Sequence, residues 1–181
     1  MTRRLLAVLA AGALAAAPAA LQAQSMSLVV SGGLAVPVSD LSTNYNSGYN
    51  VAAGLNVGAP VVPVGARFEV GYSGFDYKNG GGTKAAVLSG TANAILNLGP
   101  TSSAPYLIGG IGIYDSRFTA STALGTTTSD KSAAGVNIGG GVRFPLGGIS
   151  TFLEARYHAM LGNKNDGTNL QFIPITFGIV F

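Results

Sequence analysis

The sequence predicts an all-β fold, an eight-stranded antiparallel up-and-down transmembrane β-barrel. Apolar and polar residues alternate along most of the chain with the period of two that is typical of strands. Short turns and longer polar loops follow one another between the alternating runs, as they do in membrane-spanning barrels. Charged residues make up only 9% of the 181 residues, against about 25% in soluble domains.

The composition excludes several classes of protein. Hydrophobic residues reach 48% and the formal net charge is +3, a combination that disordered chains do not have. Lys and Arg are too few and too scattered for a nucleic-acid-binding face. The chain has no cysteine, so a disulfide framework, a zinc ribbon and a thiol nucleophile are all excluded.

The first 23 residues have the layout of a cleaved secretory signal peptide. Arg3 and Arg4 form a basic start, an Ala/Leu-rich run covers 5–17, and small residues lead to a cleavage site after Ala23. A membrane-spanning helix is the alternative, but the run is shorter than the ~20 residues that a span requires. We therefore expect a signal peptide at 1–23 and a barrel domain at 24–181.

The rest of the chain divides into eight alternating runs that we predict to be strands. Their ranges are 26–36, 48–57, 64–76, 84–98, 105–117, 132–144, 149–160 and 170–181. Short Gly/Pro turns separate some of them, and polar loops at 37–47, 77–83, 118–131 and 161–169 separate the others. An even number of strands places both ends of the barrel domain on the side of the short turns.

Four of the runs have one apolar and one polar face. In the third run, the apolar face is Ala66, Phe68, Val70 and Tyr72, and the polar face includes Arg67 and Glu69. In the seventh, Leu153, Ala155 and Tyr157 alternate with Phe152, Glu154, Arg156 and His158. The second and sixth runs alternate in the same way. In the fifth run both faces are apolar, so its facing stays open.

The positions of the charges decide which face meets lipid. Five charges lie on the polar faces of strands, and the other ten of residues 24–181 lie in or beside the long loops. A soluble lipocalin-like barrel would also alternate, with its apolar face inside and its charges outside, but a barrel that faces water would have no reason to keep charges out of the middle of its outward face. In a membrane, Arg or Lys on the outer face costs ~2–4 kcal/mol at the midplane. The apolar face is therefore predicted to contact lipid. Outward tyrosines near the loops and outward phenylalanines near the turns match two interfacial girdles.

The last strand carries a regular series of outward apolar residues that ends in an aromatic residue. The series is Ile173, Ile175, Phe177, Ile179 and Phe181. It is similar to the C-terminal signal by which bacterial outer-membrane barrels are inserted. With 32–37, 47–49 and 152–157, it makes the chain resemble the small outer-membrane β-barrel domain family, of the eight-stranded opacity and attachment type. The resemblance implies a bacterial outer-membrane location, surrounding lipid and lipopolysaccharide, and contact with the barrel-assembly machinery through the last strand. It does not imply one function, because a fold hosts many.

The charges on the polar faces suggest a network inside the barrel. The third and seventh strands lie opposite each other in an eight-stranded ring, so Arg67 and Glu69 face Glu154 and Arg156, with Arg143 on the sixth strand nearby. One interpretation is a gate for protons or ions. The other is structural filling, which the narrow interior of an eight-stranded barrel favours.

The sequence contains little that points to catalysis. His158 is the single histidine, which excludes a multi-histidine metal site, and we expect it at the rim of the barrel interior. A lipid-modifying enzyme would need a serine beside it, and the spacing provides none, although Ser73 or Thr176 could approach in space. Gly109, Gly110 and Gly112 lie within a strand and lack the lysine of a phosphate-binding loop. No cofactor is expected.

The sequence therefore predicts an exported, monomeric, non-enzymatic outer-membrane barrel with an envelope or surface role, whose polar loops make contacts with an unknown ligand. The alternative is a narrow porin-like channel for ions or small solutes, gated by the interior Arg/Glu pairs. An enzyme acting on lipid is a third, weaker alternative.

Overall fold

The computed structural model describes residues 25–58, 63–78, 83–99, 103–122, 125–162 and 169–181. The predicted signal peptide lies outside these residues. Within them, the strands are β1 Ser25–Val38, β2 Gly48–Gly58, β3 Val64–Asp76, β4 Lys84–Asn97, β5 Ala104–Thr122, β6 Gly125–Leu146, β7 Ile149–Met160 and β8 Gln171–Val180, and a short helix α1 covers Asp40–Asn44. No helix among the described residues is both long and apolar enough to cross a membrane.

The strands form a closed barrel in which each pairs antiparallel with the next, in the order β1 to β8. The ring closes between the first and last strands, where Val30 lies opposite Ile179 and Leu34 opposite Ile175. At the turn end, the backbone N–H of Phe181 donates to the carbonyl of Leu28 at 2.9 Å. The predicted all-β, up-and-down barrel is confirmed.

The two faces of the strands are separated as the alternation predicts. On β3, Phe68 is 54% exposed and Val70 is 61% exposed, while Glu69, which lies between them in the sequence, points inward and is 7% exposed. On β5, the strand whose facing the sequence left open, Ile111 and Ile113 point outward, and Tyr106, Ile108 and Tyr114 are buried. Apolar side chains of β5 thus lie on both faces of the strand. One set points toward lipid, and the other packs inside the barrel.

The predicted loop at 118–131 is wrong for most of its length. β5 and β6 continue as a paired ribbon from Arg117 opposite Asp130 to Thr122 opposite Gly125. Pairing between β4 and β5 ends at Lys84 opposite Thr119, so the ribbon extends past the neighbouring strand. Threonine favours extended backbone, but residues 125–130 are all exposed. Because both faces of this hairpin are polar, no alternation marked it as strand.

The inward side chains form three layers along the barrel axis. A loop-side plug of apolar residues consists of Ala35, Leu41, Phe75, Ala85, Val87, Tyr114, Met160, Leu170 and Phe172. A turn-side plug consists of Val29, Ile95, Tyr106, Ile108 and Phe152. Between them lie buried polar residues, among them Arg67, Glu69, Glu154 and Arg156. The interior is therefore filled with side chains, with an apolar plug on each side of the four buried charges.

A clash of side chains inside the barrel provides a test of this packing. A Cβ atom at Gly178 would overlap the ring of Phe152 in the turn-side plug. Gly178→Val is therefore expected to lower the free energy of unfolding by ~1–3 kcal/mol. It should also reduce the folded fraction in lipid vesicles, which the heat-sensitive shift on a gel measures.

Two further variants show whether the clash is the cause. Gly58→Ala is the matched control, because a Cβ there meets nothing within 4 Å. Combining Gly178→Ala with Phe152→Ala should recover folding relative to Gly178→Ala alone. Normal folding of Gly178→Val would contradict the described packing.

Candidate functional site

Four charged side chains cross the middle of the barrel and form what we call the charged layer. Arg67 and Glu69 come from β3, and Glu154 and Arg156 come from β7, four strands away around the ring. Residues two apart on a strand share a face, so each strand sends one cation and one anion into the interior. All four residues are 7% exposed or less.

The four side chains alternate in charge and are joined pairwise. Arg67 Nη1 lies 2.9 Å from Glu154 Oε2 and 3.8 Å from Glu69 Oε2. Arg156 Nε lies 2.8 Å from Glu154 Oε1, and Arg156 Nη2 pairs with Glu69 Oε1. Each charge thus has two neighbours of opposite sign, and the layer is electrically neutral.

Neighbouring polar and aromatic groups complete the layer. The Tyr106 hydroxyl donates to Glu154 Oε2 at 2.6 Å, and Arg67 Nε donates to Asn56 Oδ1 at 2.9 Å. The Arg67 guanidinium lies 5.0 Å from the centre of the Phe152 ring, a favourable cation–π distance. Buried charges are tolerated when they are paired and hydrogen-bonded in this way.

Glycines on β6, the strand between β5 and β7, make room for the long side chains. A Cβ at Gly139 would lie 2.6 Å from the Cα atom of Arg156, and one at Gly141 would lie 2.7 Å from the Tyr106 hydroxyl oxygen. A side chain at either position would therefore push the charged layer out of place. These inward glycines are part of the site.

Arg143, which the sequence grouped with the other four charges, lies toward the turn end. Its Nη1 donates to Asn97 Oδ1 at 3.2 Å, and its guanidinium lies 5.4 Å from the centre of the Tyr106 ring. Tyr106 also bonds Glu154, so Arg143 contacts the layer through this ring. The described ion pairs of the interior join the other four residues.

His158 is buried above the charged layer rather than at the rim. It is 4% exposed, its Nδ1 lies 2.9 Å from the Tyr114 hydroxyl, and its ring stacks on Phe172 with centres 5.0 Å apart. Ser73 accepts a hydrogen bond from Asn50 instead. Among the described residues, no group of three or more His, Asp or Glu side chains is arranged to hold a metal ion.

The loop end is covered by a segment that the sequence treated as loop. α1 inserts Leu41, which is 3% exposed, into the loop-side plug. The segment is tied to the β3–β4 connection, because the N–H of Lys78 donates to the Asn44 carbonyl at 2.9 Å and the rings of Tyr45 and Tyr77 lie 5.5 Å apart. Burial, with the neighbouring Tyr77, raises the pKa of Tyr45.

The plug residues are the functional positions that sequence reasoning missed. Tyr114, Phe152 and Phe172 are aromatic residues on inward faces; Phe152 and Phe172 lie near the beginnings of β7 and β8, and Tyr114 lies in the middle of β5. For Phe152, an aromatic residue on a predicted polar face was the available signal, whereas the fifth run, which contains Tyr114, had no predicted polar face.

The outward apolar belt, the closed ring of strands and the filled interior together define a small transmembrane β-barrel. The chain belongs to the outer membrane protein β-barrel domain family, whose family model matches residues 6–181. The predicted resemblance and the outer-membrane surroundings are thereby confirmed. A search of curated proteins finds no match.

Solved structures show the same fold. Neisserial surface protein A is 19% identical with a TM-score of 0.58, over 87% of this chain and 97% of the other. The N-terminal β-barrel domain of Pseudomonas aeruginosa OprF is 15% identical with a TM-score of 0.51, over 88% and 100%. The attachment invasion locus protein Ail of Yersinia pestis, solved with the heparin analogue sucrose octasulfate, is 17% identical with a TM-score of 0.51, over 87% and 98%.

Removing one charge from the layer tests how much it stabilises the barrel. Glu154→Gln leaves Arg67 and Arg156 to share Glu69, and breaking a buried pair costs about 3–5 kcal/mol. Unfolding in urea, followed by circular dichroism in lipid vesicles, should therefore occur at a clearly lower concentration than in the wild type.

The exposed pair Arg117–Asp130, with exposed side-chain fractions of 64% and 58%, provides the matched control. Asp130→Asn should leave the unfolding midpoint nearly unchanged, because exposed pairs are weak. The double variant Glu154→Gln/Arg156→Gln should lose less stability than the sum of its two single variants. An unchanged midpoint for Glu154→Gln would mean that the layer does not stabilise the fold.

Proposed function

We propose that this protein is a non-enzymatic, non-conducting barrel of the outer membrane, which works through surfaces at its loop end. The observation that carries the proposal is the position of the charged layer between two apolar plugs. An ion that crossed the barrel would have to leave water at both plugs, at a cost that apolar side chains do not offset.

The pore alternative is less well supported. A gate of Arg/Glu pairs needs a water path to open and close, whereas the pairs here are 7% exposed or less and are bracketed by Phe152 on one side and by Tyr114 and Phe172 on the other. An eight-stranded barrel is just wide enough for its side chains. We therefore assign the layer to structural filling and strand register.

The non-enzymatic part of the proposal is supported by the surroundings of His158. Tyr114 occupies its Nδ1, and Phe172 covers its ring. A general base must reach the proton that it removes, and His158 is enclosed within the loop-side plug.

We place the contact surface on the hairpin that extends past β4 and on α1. Rigid scaffolds commonly present binding groups on such loops. Arg117 Nε and Nη2 bind both oxygens of Asp130, at 2.8 and 3.0 Å, and the hydrogen bond from Arg117 lowers the pKa of the Asp130 carboxyl. Lys78 Nζ donates to the Ser42 carbonyl. With these cations engaged, contacts would rely on hydroxyl and amide groups rather than on net charge.

Export and assembly remain part of the proposal. A signal peptide at 1–23 would direct export, and the outward series Ile173, Ile175, Phe177, Ile179 and Phe181 would present β8 to the assembly machinery. Ile175 and Phe177 are 44% and 43% exposed on the lipid face, which supports this role. We propose that the mature barrel is a monomer.

Single-channel recording tests the closed lumen. The refolded mature protein should add no conductance steps to a planar bilayer, with folding checked by the heat-sensitive gel shift and a known porin as positive control. The Glu154→Gln variant should also be silent. Reproducible steps in the wild type that change in Glu154→Gln would overturn the proposal in favour of the channel.

Binding of sucrose octasulfate tests the neutral character of the loop end. The protein in vesicles of zwitterionic lipid should show no saturable binding of this anion by calorimetry. Asp130→Lys should gain binding, because it frees Arg117 and adds a cation beside Lys131. Saturable binding of the anion by the wild type would contradict the proposal that the contacts do not depend on net charge.

A further inference from the structure

A polar cleft opens on the outward side of the barrel, at the base of the hairpin that extends past β4. Four strands line it, with Tyr72 on β3, Ala86 and Leu88 on β4, Asp115, Ser116 and Arg117 on β5, and Asp130, Lys131 and Ser132 on β6. Its volume is about 430 Å³. In the strand register, Tyr72 lies opposite Leu88, and Leu88 lies opposite Asp115. The cleft thus has an aromatic wall on β3 and a polar wall on β5 and β6, with β4 between them.

Tyr72 forms the aromatic wall, and Tyr49 on β2 supports it. The two rings lie 6.0 Å apart at an angle of 38°, and the residues are 39% and 53% exposed. A Cβ at Gly74 would lie 2.7 Å from the Tyr49 ring, so this glycine leaves room for the ring over β3. Tyrosine has an apolar body and a polar tip. The wall therefore offers an aromatic surface together with hydroxyl groups.

The polar wall presents hydrogen-bonding groups without net charge. Arg117 donates to both oxygens of Asp130 through Nε and Nη2, and Ser132 Oγ donates to Asp115 Oδ1. Because a guanidinium has five N–H groups, Arg117 keeps donors beyond these two bonds. In the lining, Asp115 and Asp130 balance Arg117 and Lys131. The wall can therefore donate to hydroxyl groups and accept from them without selecting for an ion.

We propose that this cleft binds one neutral sugar ring of a glycan. The proposal rests on the proposed function, in which contacts at the loop end do not depend on net charge. A pyranose ring has an apolar face of C–H groups, which would pack against Tyr72 and Leu88. Its hydroxyl groups would bond Arg117 and Asp115, and hydrogen bonds to charged groups are the stronger ones. A sulfate or phosphate is the less suitable ligand, because two carboxylates belong to the same wall.

Binding to a glycan microarray tests the proposal. The mature protein in nanodiscs of phosphatidylcholine is applied to neutral, sulfated and phosphorylated oligosaccharides, and calorimetry then measures the affinity for each oligosaccharide that binds. Neutral hexose-containing oligosaccharides should bind, and sulfated ones should bind no better.

Lipopolysaccharide in the nanodisc identifies the source of the sugar. Competition with the soluble oligosaccharide would support a membrane glycolipid as the natural ligand. Absence of competition would support a glycan from outside the membrane. The cleft is the binding site in both cases.

Variants of the cleft connect the binding to its walls. Tyr72→Ala should weaken the affinity for the bound oligosaccharide about tenfold, whereas Tyr72→Phe should keep most of it because the ring remains. Ala86→Leu should also weaken binding, since it fills the space between the walls, and it serves as the second test if Tyr72→Ala folds poorly by the gel-shift assay. Tyr157→Ala is the matched control, because Tyr157 is an outward tyrosine on β7, 37% exposed, and it should bind like the wild type.

Three results would overturn the site. If neither neutral oligosaccharides nor sucrose octasulfate bind, the sugar site is wrong and the proposed function stands. Binding of sulfated or phosphorylated oligosaccharides alone would contradict both. Binding of a neutral oligosaccharide that Tyr72→Ala and Ala86→Leu leave unchanged would place the sugar elsewhere on the protein.

Discussion

Closure of the ring between β1 and β8 is the constraint on which the rest of the structure depends. In the hydrocarbon of a membrane, an unpaired backbone N–H or C=O costs several kilocalories per mole, so a sheet can span only if it has no edge. The eight strands meet this condition with antiparallel pairs throughout. Once the ring is closed, every second residue must face lipid and every other residue must face a narrow interior.

The interior follows from this division. Eight strands leave a space that side chains fill, and this chain fills it with a neutral set of two arginines and two glutamates between apolar plugs. Tyr106 joins the layers, since its hydroxyl bonds Glu154 and its ring lies within the turn-side plug. Gly139 and Gly141, which pair with Arg156 and Tyr106, leave the space that these large side chains occupy. Filling of this kind fixes how the strands pack against each other.

Because side chains fill the interior, we propose that function lies at the loop end of the barrel. The related structures share 15–19% of their residues with this chain, a likeness that shows the fold alone. The paired hairpin beyond β4 and α1 at the loop end are the features by which this barrel departs from a plain cylinder. We propose that specific contacts are made there.

The sequence by itself determined the strands, their facing and the lipid exposure, because alternation with a period of two records two different environments. It was ambiguous wherever the two environments are alike. On β5 both faces are apolar, since Tyr106 and Ile108 pack inside while Ile111 and Ile113 meet lipid. On the hairpin both faces are polar, since water surrounds Thr126, Thr127 and Thr128.

Only the tertiary structure decided which inward residues meet. Arg67 reaches Glu154, four strands away, whereas Arg143 lies toward the turn end beside Asn97, and His158 is enclosed by Tyr114 and Phe172. These contacts depend on the strand register and on the height of each residue along the barrel axis. Alternation predicts the face on which a residue lies but not its height. The side-chain partners inside the barrel could therefore be identified only from the tertiary structure.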